Sequence, residues 1–407
     1  MERNGEGSSG HSDGLVRCAA WIYPRTEKQH YYGRKRQEGT ERQRGSLVVM
    51  GRAASRSSPP VLEIFAFDPK TTSLSASPVG VCVIDGNPLG VAVHPSGNEL
   101  VCSTANGCKS FELQGHDSNV KLVPKELNPL QAAGPQKCLA FSTDGSKFAS
   151  GGEDGHLRIF DWPSFRIILD EPKAHKSFRD MDISLDSEFL SSTSVDGTAR
   201  IWKISDGVPP TTLTRDSDEK FECCRFSRDG SKPFLFCTVQ KGNKVVTTVW
   251  DISTWKKIGF KRLLGKPIST LSISLDGKYL ALGSNDGDIC VVEVSRMAVC
   301  HWSKKLHLGS RISVIDFCPT ERVFLSNSNQ WGAAVTKMNV PADWKEWQVY
   351  LVLLGLFLVS LVAFYILHQH SDSFWNVPTG RVDQTAKPSL TQTIVSDLEA
   401  SDDQSAW

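Results

Sequence analysis

The sequence predicts an all-β fold, a β-propeller of seven four-stranded blades, followed by a single transmembrane α-helix near the C-terminus. Two observations lead to this prediction. A turn motif returns at intervals of about 42 to 48 residues along most of the chain, and an uncharged apolar run occurs close to residue 350. The length of 407 residues is sufficient for a large core, and the net charge of +1 gives no global indication of nucleic-acid binding.

Each repeated unit consists of a polar turn, an apolar strand, a second turn and another strand. In one copy Asp144-Gly145 forms the first turn and Asp154-Gly155 the second. The equivalent first-turn positions are 97, 145, 187, 230, 277 and 321. Asp-Gly pairs favour tight hairpins because glycine readily adopts positive φ angles. A period of roughly 40 to 45 residues is typical of WD repeats, in which each repeat forms one propeller blade.

A seventh blade is expected at the N-terminal side of these six repeats. Its apolar strands are predicted in residues 15–23, 47–50 and 61–68. Its last strand is predicted in residues 335–340, which would close the ring by joining the two ends of the propeller.

The uncharged run begins at Val349 and ends at Leu367. A helix rises about 1.5 Å per residue, so the run would span roughly 28 Å, close to the ~30 Å hydrocarbon core of a bilayer. Trp344 and Trp347 precede the run and Trp375 follows it, as expected for interfacial aromatic residues. No basic segment followed by an apolar run marks an export signal at the N-terminus. We therefore expect a cytosolic domain (1–343), a transmembrane helix (349–367) and a lumenal, acidic and disordered tail (368–407).

No pattern in the sequence indicates an enzyme. The 11 cysteines are dispersed, never occur as C-x-x-C and all lie at or before Cys318, which is typical of reduced cysteines that pack as small apolar residues. No P-loop, zinc-protease or nucleophile-elbow motif occurs. The histidines His94, His156 and His175 are expected to pack or to cap turns. We expect no catalytic residue, no metal and no cofactor.

Residues 24–58 carry many more basic than acidic side chains. The flexible-loop interpretation places this segment as a solvated loop of the first blade, and the alternative is attraction to anionic lipid. The basic residues are Arg25, Lys28, Arg34, Lys35, Arg36, Arg42, Arg44, Arg52 and Arg56.

Several longer segments are similar to one family. They are DEPKAHKSFRDMDISLDSEFL (170–190), FSRDGSKPFLFC (226–237), DISTWKKIGFK (251–261), PADWKEWQVY (341–350) and SDSFW (371–375). On these segments the chain resembles the Sec-twelve-like family of WD-repeat proteins of the endoplasmic-reticulum membrane. The resemblance extends from about Val61 to Trp375.

The resemblance also implies a partner and a site. The family is related to the guanine-nucleotide exchange factor of the Sar GTPase, which starts COPII coat assembly. Residues 46–60 correspond to a first-blade loop that faces the GTPase, with Ser46, Gly51, Arg52 and Arg56 as candidate contacts. The exchange factors carry a potassium-binding glycine run there followed by a Gly-Ile-Pro-Asn-like stretch. Here only Gly51 remains and the two arginines would repel a cation, so we expect neither potassium binding nor efficient exchange.

The resemblance therefore implies a non-enzymatic trafficking factor that helps phosphate transporters leave the endoplasmic reticulum for the plasma membrane. The alternative is an active exchange factor for the Sar GTPase. A propeller scaffold that acts outside secretion, on nucleic acid through the basic segment, is a third interpretation.

Overall fold

The computed structural model describes residues 15–24, 46–116, 119–205, 210–230, 233–242, 244–340 and 346–369. The chain divides into two units between Val340 and Pro341. In the first unit, seven antiparallel sheets follow one another along the chain as the blades of a propeller, and the second unit contains one α-helix. The predicted fold class is confirmed.

Within a blade, the strands pair in chain order from the innermost to the outermost. Blade 1 consists of β1 (Val16–Ile22), β2 (Leu47–Arg52), β3 (Val61–Asp68), β4 (Ser73–Leu74) and β5 (Gly80–Val83), with β4 and β5 both paired with β3. Blade 2 consists of β6 (Pro88–Val93), β7 (Glu99–Thr104), β8 (Cys108–His116) and β9 (Asn119–Lys125). A 3₁₀-helix (Asn128–Leu130) precedes blade 3, which consists of β10 (Gln136–Phe141), β11 (Lys147–Gly152), β12 (Leu157–Asp161) and β13 (Arg166–Glu171).

The remaining blades follow the same order. Blade 4 consists of β14 (Phe178–Ile183), β15 (Phe189–Ser194), β16 (Ala199–Lys203) and β17 (Thr211–Thr212). Blade 5 consists of β18 (Glu219–Phe226), β19 (Phe234–Lys241), β20 (Lys244–Asp251) and β21 (Lys257–Lys261). Blade 6 consists of β22 (Ile268–Ile273), β23 (Tyr279–Ser284), β24 (Ile289–Glu293) and β25 (Ala298–Ser303). Blade 7 consists of β26 (Ile312–Phe317), β27 (Val323–Ser328) and β28 (Gly332–Lys337).

The hydrophobic core lies between the blades rather than at the centre of the ring. Seven apolar clusters are found among the described residues, one between each pair of neighbouring blades. The cluster that joins blade 7 to blade 1 includes Trp21, Met50 and Leu325. Alternating side chains of each strand thus reach one neighbouring blade or the other, which explains the repeated strand pattern of the sequence.

The ring closes differently from the sequence prediction, in which residues 335–340 supply the last strand of blade 1. Gly332–Lys337 instead pairs with β27 in blade 7, because a short turn makes this local hairpin easier to form than a distant pairing. The two ends of the propeller are joined by contacts between the innermost strands of blades 1 and 7, β1 and β26. The backbone N–H of Trp21 donates to the Asp316 carboxylate at 2.8 Å, and the indole N–H of Trp21 donates to the Asp316 carbonyl at 3.1 Å.

The predicted polar turns connect the first and second strands of the blades. In blade 3 the Ser142 hydroxyl accepts the Lys147 N–H at 2.9 Å, and the Asp144 carboxylate accepts the Ser146 N–H at 3.0 Å. Gly145 has a φ angle of 73°, which explains the glycine at this position. Ser184 with Asp186, and Ser274 with Asp276, form the same turn in blades 4 and 6.

A buried hydrogen-bond network holds blade 4 together. The Ser192 hydroxyl lies on β15, where it accepts the Trp202 indole N–H at 2.9 Å and lies 2.7 Å from Nε2 of His175. Burial lowers the pKa of His175 to about 4, so the imidazole is neutral at physiological pH and its Nε2 can accept the serine proton. The expectation that His175 packs in the fold is confirmed.

The second unit contains helix α1 (Glu346–Gln369). Its segment Tyr350–Gln369 is long and apolar enough to cross a membrane, and no part of that segment is buried against protein. It is the one such helix among the described ranges of the chain.

Candidate functional site

The four candidate residues of the first blade do not form one loop. Residues 47–52 belong to strand β2, and only residues 53–60 connect β2 with β3. A strand of this length extends about 20 Å, so Ser46 and Arg56 lie at opposite ends of β2. The sequence-based expectation of a continuous loop over 46–60 is therefore corrected: its strongly apolar first half pairs with β1 and β3.

Ser46 and Gly51 are both buried within the propeller. Ser46 is buried, and its hydroxyl lies 2.8 Å from the hydroxyl of Thr320 in blade 7. Gly51 packs between β1 and blade 2. A Cβ atom added to it would lie 2.5 Å from Sγ of Cys18 on β1 and 2.9 Å from Cβ of Pro88 in blade 2. Gly51 is thus required for close packing, which is a different role from a flexible cation-binding loop.

The two arginines differ in their availability to a partner. The Arg52 guanidinium donates to the Glu63 carboxylate at 2.9 and 3.1 Å, so it is paired across β2 and β3. Arg56 is exposed on the connecting loop. Of the four candidates, Arg56 is the residue best placed to contact a partner.

The loop over residues 53–60 is held in place by its own serines and by the next blade. The Ser55 and Ser58 hydroxyls lie 2.8 Å apart, and the Ser55 N–H donates to the Ser58 carbonyl at 2.9 Å. The Ala54 N–H donates to the Asn87 side chain, between blades 1 and 2, at 2.7 Å. A potassium ion needs several free oxygen ligands, whereas these serine oxygens bond to one another beside a cationic Arg56. The residues present do not fit a potassium site.

This loop belongs to one face of the propeller, which we call the loop face. Since strands alternate in direction, the loop face carries the connections between second and third strands and those between successive blades. Six large apolar side chains at or next to these connections are exposed. They are Leu15, Val83, Leu89, Val195, Leu308 and Trp331. Such residues are available for contact with a protein partner, since aromatic and aliphatic anchors are common at interfaces.

The innermost strands bring charged residues to the rim of the central channel on the loop face. Each of these strands has a β-bulge at the same level, and the bulged residues include Arg17, Lys137 and Arg179. Arg179 pairs with Glu222, and Lys137 lies 3.0 Å from Glu153. Arg17 is exposed. The rim is therefore mildly basic.

A cavity of about 540 Å³ lies in the channel and is lined by all seven innermost strands. The two arginines that line it are paired with carboxylates. Asp180 pairs with Arg225 at 2.7 Å and Asp182 pairs with Arg228 at 2.7 Å. Burial raises the pKa of Asp316 to about 6. Because both guanidinium groups already bind protein carboxylates, the charged side chains of the cavity form a structural network.

The cysteines and possible metal ligands of the described residues are dispersed or buried. No group of three or more His, Cys, Asp or Glu side chains within it is placed to hold a metal ion. All 11 cysteines are free, and all but Cys82 and Cys300 are buried, as expected for thiols that pack as apolar residues. Burial raises the pKa of Cys108 to about 12, which suppresses its thiolate.

The predicted membrane-anchor residues are described in part. Val349 and Leu367 both belong to α1, and Trp347 lies in its first turn and is exposed. Trp344 and Trp375 lie outside the described residues, as do the basic residues from Arg25 to Arg44. The exposed apolar residues of the loop face were not identified from the sequence. Their signal is an apolar side chain within a turn segment, as at Val195 next to Asp196-Gly197.

Comparison with known proteins gives a consistent result. Residues 107–161 and 168–203 match the family described as WD domain, G-beta repeat. The chain is 55% identical to SEC12-like protein 1 of Arabidopsis thaliana, over 88% of this chain and 90% of that relative. It is 32% identical to SEC12-like protein 2 of the same plant, over 70% and 73%. It is 27% identical to the guanine nucleotide-exchange factor SEC12 of Rattus norvegicus, over 50% and 53%.

Proposed function

Because the chain belongs to the SEC12-like family of WD-repeat proteins, we propose that it acts in the early secretory pathway at the endoplasmic-reticulum membrane. Family membership supports this assignment, together with a propeller and an apolar helix that is suited to crossing a bilayer. In this proposal residues 1–343 are cytosolic, residues 349–367 cross the membrane and residues 368–407 are lumenal.

The proposed orientation has a direct test. In sealed microsomes, added protease should digest a tag placed before residue 15 and spare a tag placed after Trp407. Detergent should make both tags accessible. The reverse pattern of protection would contradict the orientation, and release of the protein by alkaline carbonate would contradict a membrane-spanning helix.

The specific function that we propose is to promote the exit of phosphate transporters from the endoplasmic reticulum, without nucleotide-exchange activity. The observation that supports the absence of exchange activity is the arrangement of the first-blade loop. Gly51 packs inside a strand, Arg52 is paired with Glu63, and the serines of the loop bond to one another. The exposed apolar residues of the loop face then serve as a binding surface for cargo.

Loss of the protein should retain a fluorescent phosphate transporter in the endoplasmic reticulum, while a general secretory reporter and an unrelated plasma-membrane protein travel normally. Re-expression of the wild-type chain should restore export. A variant with Trp331→Ser and Leu308→Ser, in which two exposed residues of the loop face are removed, should be folded and should fail to restore export. Equal retention of all reporters would contradict cargo selectivity.

The second candidate function is exchange activity on a Sar-type GTPase, which is favoured by the similarity to the exchange factor SEC12. The full chain in detergent, mixed with a Sar GTPase loaded with fluorescent nucleotide, distinguishes the two. A SEC12 exchange factor serves as the positive control. We expect nucleotide release at the intrinsic rate of the GTPase. Acceleration that Arg56→Glu abolishes would establish the exchange function and would show that the loop acts without its glycine run.

A further inference from the structure

We propose that the outer edges of blades 5 and 6 form a contact site for an anionic lipid surface. The site consists of β21 with its flanking residues 256–262 and β25 with its flanking residues 296–305, and we call it the blade 5–6 edge. The inference rests on the proposed membrane attachment and goes beyond it, because it assigns a second, peripheral membrane contact to the propeller itself.

The first observation is the exposure of large apolar side chains on these two outermost strands. Phe260 is 70% exposed and Ile258 is 55% exposed, and both lie on β21. Val299 and Trp302 on β25 are 46% and 40% exposed. Phe260 is the most exposed large apolar side chain of the described propeller residues. Single exposed apolar side chains are common on protein surfaces, whereas a group of four on the outermost strands of two neighbouring blades points to an external partner.

The second observation is the basic character of the same edge. Lys256 and Lys257 precede Ile258, while Lys261 and Arg262 follow Phe260, so the sequence reads KKIGFKR. Lys257 lies over the Phe260 ring, with Nζ 5.2 Å from the ring centre. Lys304 and Lys305 follow β25. Among the described residues, none of these side chains forms an ion pair.

Nearby carboxylates do not neutralise this edge. Lys257 interacts electrostatically with Asp216, and Lys304 interacts electrostatically with Asp288. Each carboxylate already has another lysine partner, Lys241 at 2.9 Å for Asp216 and Lys266 at 2.8 Å for Asp288. Two further carboxylates lie near this edge: Asp251 accepts the Thr254 hydroxyl and N–H within its own turn, and Glu293 lies 3.9 Å from Arg296. Both keep their charge, but the six basic side chains outnumber them.

Protection of an edge strand is the simpler explanation of lysines at this position, because charges discourage pairing with another chain. That explanation does not account for an exposed phenylalanine and tryptophan between the charges. The outer strand of blade 3 offers a comparison: Ile167 is 51% exposed there, but Asp170 and Glu171 share the strand. Aromatic and aliphatic side chains flanked by unpaired cations match the interface of an anionic bilayer, where basic groups bind headgroups and aromatic rings enter the interfacial layer.

The experiment compares the full chain in nanodiscs of neutral lipid with the full chain in nanodiscs that contain phosphatidylserine. Hydrogen–deuterium exchange is measured for peptides that cover β21, β25, the internal strand β22 and α1. We expect β21 and β25 to exchange several-fold more slowly in the anionic discs, and to lose this protection at high salt. Each basic residue near an anionic surface contributes about fivefold to binding, so Lys256→Glu with Lys261→Glu should abolish the protection.

Phe260→Ser should weaken the protection without changing the charge, and Ile167→Ser on the outer strand of blade 3 is the matched control that should leave it intact. Unchanged exchange of β22 verifies that each variant is folded. Equal exchange of β21 and β25 in both kinds of disc, with α1 protected, would overturn the lipid contact and leave the membrane attachment standing. An unprotected α1 would overturn both. Protection by added polyglutamate but not by phosphatidylserine would overturn the lipid assignment in favour of an acidic protein.

Discussion

Replacing Ser192 by alanine tests whether the buried network of blade 4 stabilises the propeller. The Ser192 hydroxyl accepts the Trp202 indole N–H at 2.9 Å and lies 2.7 Å from Nε2 of His175. Its loss leaves a buried donor and a buried acceptor without their partner. Each unsatisfied group costs about 1–3 kcal/mol, so we expect the variant to lose roughly 2–6 kcal/mol of unfolding free energy. The removed atom is small, so the cavity contribution is minor.

The assay is urea unfolding of the full chain in detergent, followed by far-ultraviolet circular dichroism, in which β-sheet loss reports on the propeller. The matched control is Ser303→Ala. The Ser303 hydroxyl lies 2.9 Å from Nε2 of His301, but this pair is only half buried, so water can replace the lost partner. We expect the control to lose less than about 1 kcal/mol. Equal losses for the two variants would refute the reasoning that burial of the network determines its contribution.

The same network makes stability depend on pH. Burial lowers the pKa of His175 to about 4, compared with about 6.5 in an unfolded chain. The unfolded state therefore binds the proton more readily between these values. The contribution is fully present above pH 6.5 and is lost as the pH falls toward 4, by roughly 3 kcal/mol at most. His175→Gln should reduce the difference in stability between pH 7.5 and pH 4.5, and an unchanged difference would refute the assignment to His175.

Three further predictions concern blade 1 and the closure of the ring. Gly51→Ala should lower the thermal midpoint, at a cost of about 1–3 kcal/mol, because the new Cβ would lie 2.5 Å from Sγ of Cys18; adding Cys18→Ala should recover part of the loss. Arg52→Ala should cost about 1–3 kcal/mol in urea unfolding, because Glu63 loses its partner at 2.9 Å, and Arg52→Lys should recover less than half of it. Asp316→Asn should stabilise the chain by up to roughly 3 kcal/mol at pH 7.5. Burial raises the pKa of Asp316 to about 6, so the cost of ionising it disappears as the pH falls toward 3.8, and the variant and wild type should then unfold alike.

The fold class was predictable because its determinants are local and repeated. Each polar turn needs a few adjacent residues, such as Ser142, Asp144 and Gly145, and each appears in the sequence at nearly the same interval. The apolar helix was predictable for a similar reason, since an uncharged run from Val349 to Leu367 favours a continuous apolar helix. Six such units, together with the apolar segments at the N-terminal side, predicted seven blades, which the structure confirms.

For ring closure and for the candidate site the sequence was less informative. Nothing in residues 335–340 distinguishes the closing last strand of blade 1 from the third strand of blade 7, because both would be short and apolar. Likewise Gly51 looked like the remnant of a flexible loop, whereas the nearby Cys18 and Pro88 give it a packing role. For Gly51 those side chains lie far away in the sequence, Cys18 on β1 and Pro88 in blade 2.

The environment of Gly51 also affects how the relationship to the exchange factors should be interpreted. A cation-binding loop requires backbone freedom after the end of β2, but here the chain leaves that strand through a glycine fixed by packing and an arginine fixed by Glu63. Insertion of glycines after Arg52 would therefore lengthen the loop without disturbing β2. If exchange activity depends on this loop alone, a chimera that carries the SEC12 loop between Arg52 and Val61 should accelerate nucleotide release from a Sar GTPase. A folded chimera without activity would show that the loop face itself, with Leu89, Leu308 and Trp331 exposed on it, has diverged toward a different partner.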